Sequence, residues 1–140
     1  MSAVVGYELT VPGYCEILEA AVAFTAKVVD PRSTAGLKPP SACALLAMDG
    51  LPHVIHIRSR RPGDRYGGPG KRKVKRILID ARIPLAARSS LPLVVAGDTV
   101  IWIPGFKPAK SFIADTSSSR CVILEVRELK DRDSPKASDI

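Results

Sequence analysis

At 140 residues, the chain is sized for one domain and is too short for two well-packed ones. Its 46% hydrophobic content beside 25% charged residues supports a core of its own and excludes a disordered or fibrous class. A net charge of +7 favours polyanionic partners over basic ones.

Three cysteines, Cys15, Cys43 and Cys121, form no CxxC pair, which excludes a disulfide framework and a zinc knuckle. They read as small buried hydrophobes of a reducing compartment. No apolar run approaches the ~20 residues that span a bilayer. No charged n-region precedes an apolar segment at the start. A cytoplasmic location without a membrane partner is expected.

Residues 1–30 read as N-terminal strands of the domain. Tyr7 to Val29 suits short strands, with a turn at Pro12-Gly13 and polar interruptions at Thr25 and Lys27 in the run from Ala21. Prolines and small residues mark 31–43 as a loop or linker. Residues 44–130 follow as the main core, and 131–140 as a loose polar tail. Cys43 to Met48 is apolar and fits either a strand or a helix. Asp49-Gly50 signals a turn before a β-branched strand, Val54 to Ile57.

From Arg58 to Gly70, prolines and glycines impose a loop. Regular structure is predicted again from about Arg72, where Val74, Ile77, Leu78 and Ala81 make the stripe of an amphipathic helix. Ile83-Pro84 ends it, and Leu85 to Ser89 suits a second helical turn. Leu93 to Val95 and Thr99 to Ile103 flank Gly97-Asp98 as a β-hairpin with Trp102 as its core aromatic. Cys121 to Val126 is the last strand. The predicted class is α+β, mostly antiparallel strands with a short basic helix and a second helical turn inserted.

Charge singles out one segment. Arg58 to Arg88 holds eleven Lys or Arg against Asp64 and Asp80, a net of +9; the rest of the chain carries ten basic and twelve acidic residues. A field this concentrated suits nucleic acid. On a helical wheel, Arg72, Lys73, Lys75, Arg76 and Arg82 occupy the directions left free by the apolar stripe, with Ile79 the one apolar exception. The glycine-rich loop ahead of the helix suggests free N–H groups and a positive dipole end for phosphate. It is not a mononucleotide P-loop, because Arg65 stands where the first glycine belongs and Arg72 follows the lysine.

Lys71, Arg72, Lys75 and Arg76 are the leading candidates for phosphate contacts, joined by Lys73, Arg82 and Arg88. Arg58 and Arg60 share one face of a strand end with Arg61 turned away, and one of the three is expected to pair with Asp64. Asp64 is read as a loop-fixing acceptor for backbone N–H groups or Arg65, and Asp80 as an intrahelical partner of Lys73 or Arg76. Tyr66 either stacks on a base or packs against the helix. His53 and His56 fall on opposite faces of a strand and make no metal pair. Ser89-Ser90 and Ser117 to Ser119 lack a His–acid arrangement, so no catalytic residue, metal site or cofactor is expected within this chain.

The run Ile57-Arg58-Ser59-Arg60-Arg61-Pro62-Gly63-Asp64-Arg65-Tyr66 closely resembles the opening motif of the C-terminal domain of tRNA(Ile)-lysidine synthetases. The similarity continues through Lys73 to Pro84, Arg88, Leu91 to Val95 and Ile101-Trp102-Ile103-Pro104-Gly105, in the family's order and near its spacing. Residues 1 to 54 match loosely, and those beyond Phe106 weakly. One departure is the loop after Tyr66, which is shorter than family members commonly carry.

The resemblance implies a fold like a domain of the phenylalanyl-tRNA synthetase β chain. It also implies a partner, the acceptor-stem side of isoleucine tRNA. Enzymes of this family attach lysine to the wobble cytidine, using ATP in a separate N-terminal domain with a Ser-Gly-Gly-x-Asp-Ser loop that this sequence lacks. The chain would then be a recognition module, inactive alone, whose RNA contacts include Arg58, Arg60, Arg61, Arg65 and Tyr66. The competing reading is a structural module that docks on the catalytic domain without touching RNA. A duplex-binding module would meet phosphates and 2′-hydroxyls, since A-form RNA hides its base edges.

Overall fold

Short apolar runs, rich in β-branched residues, build most of the strands. The computed structural model describes residues 6–30, 43–48, 51–68, 71–88, 90–109, 112–113 and 120–129. Residues 31–42 of the linker expected over 31–43, the Asp49-Gly50 turn, the tail over 131–140, and Ser89 and Ser117 to Ser119 lie outside them. Strands β1 (Tyr7–Thr10), β2 (Gly13–Ile17), β3 (Val22–Val29), β4 (Cys43–Ala47) and β5 (Val54–Arg58) precede helices α1 (Val74–Asp80) and α2 (Leu85–Arg88). Strands β6 (Leu93–Ala96), β7 (Thr99–Trp102) and β8 (Cys121–Glu128) follow.

These strands form two four-stranded sheets, ordered β1-β5-β6-β7 and β2-β3-β8-β4, with every pairing antiparallel. The ambiguous segment at Cys43 is a strand, because it pairs along its length with β8 from Cys43↔Glu125 to Ala47↔Cys121. The last strand outruns its expected end at Val126, since β3 supplies partners as far as Glu128. All three thiols are free. Only Cys121 is fully buried, whereas Cys15 and Cys43 are half-buried.

Inward faces of both sheets share one core: Leu9, Ile55 and Val94 meet Ile17, Phe24, Leu46 and Leu124. Trp102 bridges the sheets, its ring 6.2 Å from that of Phe24 in an edge-to-face arrangement. Its indole N–H donates to the Phe106 carbonyl at 2.9 Å, so the polar end of the ring is satisfied inside the core.

A β-bulge prepares the other face of the first sheet. Val94 pairs with Trp102 but the adjacent Val95 pairs with Val100, leaving Ile101 as an extra residue in β7. Ile101 and Trp102 therefore both enter the inter-sheet core. Val100 and Ile103 join Leu93 and Val95 beneath α1, where Val74 and Leu78 are fully buried. The helical part of the basic segment is thus packed onto this sheet.

Candidate nucleic-acid interface

Arg61-Pro62-Gly63-Asp64 forms a tight turn: proline sits at its second position, Gly63 has φ +89°, and the Asp64 N–H donates to the Arg61 carbonyl at 3.1 Å. Those are the requirements of a type II turn. The turn aims the Asp64 carboxylate back at the end of β5. There the Arg58 guanidinium grips it through two hydrogen bonds of 2.9 and 3.0 Å, and the Arg61 N–H adds one of 2.7 Å.

The side chains of Arg58 and Asp64 are only 9% and 8% exposed, so this bidentate pair is a desolvated clamp. Burial alone would raise the Asp64 pKa. The hydrogen bonds from Arg58 and Arg61, together with both positive charges, outweigh it and hold the carboxyl below its ordinary value. Arg58 is therefore directed inward, not toward a ligand. It is the arginine that satisfies Asp64, a role also considered for Arg65.

Beyond the clamp the chain doubles back on itself. Arg65 bridges Lys73 in antiparallel fashion, the Tyr66 N–H donates to the Arg72 carbonyl at 2.9 Å, and the Gly67 N–H donates to Val100 of β7 at 2.8 Å. Regular helix starts at Val74, two residues later than expected, with Lys73 as an extended N-cap. Lys71 and Arg72 accordingly precede the helix. The Val74 N–H already donates to the Asp64 carbonyl at 3.0 Å. The seven-residue helix therefore does not offer the open phosphate-binding N-terminus suggested by the glycine-rich loop.

Other assignments also shift. Arg72 extends along α1 to pair with Asp80, replacing the expected Lys73 or Arg76 partner. Arg65 donates to the Lys71 carbonyl. Tyr66 is packed beneath the helix, where its hydroxyl donates to the Lys107 carbonyl and accepts the Ile103 N–H at 3.3 Å. Burial pushes its phenol up to about 12, against a small opposing effect of the Ile103 bond. Of the two roles considered for Tyr66, packing against the helix is the one the structure shows.

Arg82 has left the helix and adopts φ +61°. With the Ile83 N–H on Leu78 and its own N–H on Ile79, it closes the helix at a position where glycine is commonest. Arg88 is half-buried, its Nε donating to the Ile83 carbonyl at 2.9 Å.

What remains is a concave, cationic surface. Arg60, Arg61, Lys73 and Lys75 line a cleft of about 360 Å³ above the Pro62-Gly63 turn. Within it the Arg60 Nε is buried without a hydrogen-bond partner among the described residues. Lys75 and Lys73 also flank a shallower depression with Arg76 and Ile79. The two acids of the segment, Asp64 and Asp80, are occupied by Arg58 and Arg72. Asp64 itself lines the cleft and feels the Arg61 charge, but among the described residues neither acid forms an ion pair with Arg60, Lys73 or Lys75.

Two residues outside the sequence expectations stand near this surface. Phe106 and Lys107 line a separate groove with Lys71 and Arg72. Their only sequence signal was the Pro104-Gly105 turn just before them, which marks a loop without assigning it a role. Among the described residues no group of three or more His, Cys, Asp or Glu is placed to hold a metal. No helix there is long and apolar enough to cross a membrane.

The family model described as the TilS substrate C-terminal domain matches residues 55–125, which takes in the clamp, the cationic cleft and both sides of the bulged hairpin. The chain belongs to that family. Among relatives of this TilS C-terminal domain, the tRNA(Ile)-lysidine synthase of Symbiobacterium thermophilum is 38% identical over 124 residues, covering 86% of this chain and 26% of the relative. The tRNA(Ile)-lysidine synthase of Caldanaerobacter subterraneus subsp. tengcongensis is 30% identical over 120 residues, covering 84% and 26%. The chain thus spans about a quarter of the length of these curated relatives. A crystal structure of a TilS C-terminal domain superposes with a TM-score of 0.67 at 22% identity, covering 90% of this chain and 99% of the other. The likeness establishes the α+β fold with its antiparallel sheets.

Proposed function

We propose that this TilS C-terminal domain grips the body of isoleucine tRNA on its acceptor-stem side, so that a separate ATP-dependent domain attaches lysine to the wobble cytidine. The observation that carries the reading is the cleft of Arg60, Arg61, Lys73 and Lys75, in which the one lining carboxylate, Asp64, is already paired with Arg58. Four cations held on one concave face against a single, already clamped carboxylate raise the local potential and attract a polyanion. They touch phosphates rather than base edges, which suits an A-form stem. Chemistry is not expected from this chain alone, and ATP belongs to the catalytic part of the enzyme, which is the domain's other partner.

Titrating the 140-residue chain with isoleucine tRNA at low salt tests the proposal. Saturable binding that weakens with added salt is expected. A docking module would instead leave tRNA free and bind the separately produced catalytic portion, and that result would end the RNA reading.

A further inference from the structure

The groove beside the cleft differs from it in chemistry. It encloses about 670 Å³, shares no lining residue with the cleft, and has Tyr66, Ile77, Phe106 and Pro108 along it with Lys71 and Lys107 as flanking cations. Both lysines are exposed and have no ion-pair partner among the described residues. The Tyr66 hydroxyl, which donates to the Lys107 carbonyl, fixes the backbone that carries Phe106 and Lys107. The Phe106 N–H closes the same turn onto the Ile103 carbonyl at 2.9 Å.

Duplex backbone has no apolar surface to bury in such a groove. An unpaired nucleotide does, because its base has two apolar faces and its phosphate carries a charge. We infer that this groove takes an unpaired nucleotide adjoining the stem, with the base against Phe106 and the phosphate between Lys71 and Lys107. The inference rests on the proposed RNA binding and adds a second element to it: the cleft holds duplex phosphates, and the groove holds a single-stranded end.

Two RNAs separate the claims: a blunt-ended hairpin, and the same hairpin with an unpaired 3′ extension carrying 2-aminopurine. Wild-type chain should bind the extended RNA roughly tenfold more tightly than the blunt one, the scale of one base stacked on an aromatic ring, and should quench the 2-aminopurine. Phe106→Leu keeps the apolar bulk that supports the turn, and Lys107→Ala leaves the carbonyl used by Tyr66 in place. Each variant should abolish most of the gain while binding the blunt hairpin as wild type does, and Phe106→Leu should also remove the quenching. Equal affinity for the two RNAs, with blunt binding intact, overturns the groove assignment and leaves the cleft reading standing. So does a loss in both variants that is the same for both RNAs. Failure to bind either RNA overturns both.

Discussion

Arg58 and Lys75 belong to one basic segment and carry the same charge, yet the fold uses them in opposite ways. Arg58 is sealed against Asp64 with 9% of its side chain exposed, whereas Lys75 projects from α1 into an open cleft. The difference is one of available partners. A planar guanidinium matches a carboxylate in two parallel hydrogen bonds, and the Pro62-Gly63 turn delivers that carboxylate to the Arg58 guanidinium. Once Asp64 is held by Arg58 and Asp80 by Arg72, Lys73, Lys75 and Arg76 have no ion-pair partner among the described residues and stay available to a ligand. High charge density in a sequence therefore mixes fixed and free charges, and only the geometry of the acids sorts them.

The largest way to sharpen that contrast is to break the clamp. Arg58→Ala leaves Asp64 buried and unpaired, and should destabilise the fold by about 3–5 kcal/mol, read from urea denaturation midpoints. A loss below about 1 kcal/mol would place Arg58 with the free cations. Acid probes the same contact. Because the folded-state pKa of Asp64 is lowered, its contribution is complete above the unfolded value of about 3.9 and is lost as pH falls through the folded value. Asp64→Asn should be less stable near neutrality and less sensitive to acid below pH ~4.

On the free side of the comparison, replacing Lys75 and Arg76 with Ala should move stability by no more than about 0.5 kcal/mol. It should still weaken tRNA binding and flatten its salt dependence by roughly 1.4 to 1.8 in log–log slope, two phosphate contacts' worth. Unchanged affinity would remove these two residues from the interface. The smallest effect belongs to Arg72→Ala, which breaks an ion pair whose side chains are 60% and 46% exposed. Thermal denaturation should register no more than about 0.5 kcal/mol.

Much of the fold was legible in the residues. Apolar and β-branched runs marked β3, β5 and β8, Gly97-Asp98 marked the hairpin, and the prolines and glycines after Arg58 marked a loop without its turn. The bulge at Ile101 was not, because a one-residue register shift leaves no mark on composition. Helix onset was misplaced at Arg72 because periodicity cannot see that Arg65 and Tyr66 hold residues 72–73 extended. The pairing of Arg72 with Asp80 was missed for a related reason: helical i, i+4 spacing does not apply to a residue outside the helix. Within the site, sequence could gather the cations but not separate the anchored Arg58, Arg65 and Arg88 from the open Lys73, Lys75 and Arg76.

The most direct measurement is the affinity of the 140-residue chain for isoleucine tRNA across a series of salt concentrations. With about six phosphates neutralised, log affinity should fall against log salt with a slope on the order of −4 to −5. A slope near zero, or no binding at low salt, would contradict the account.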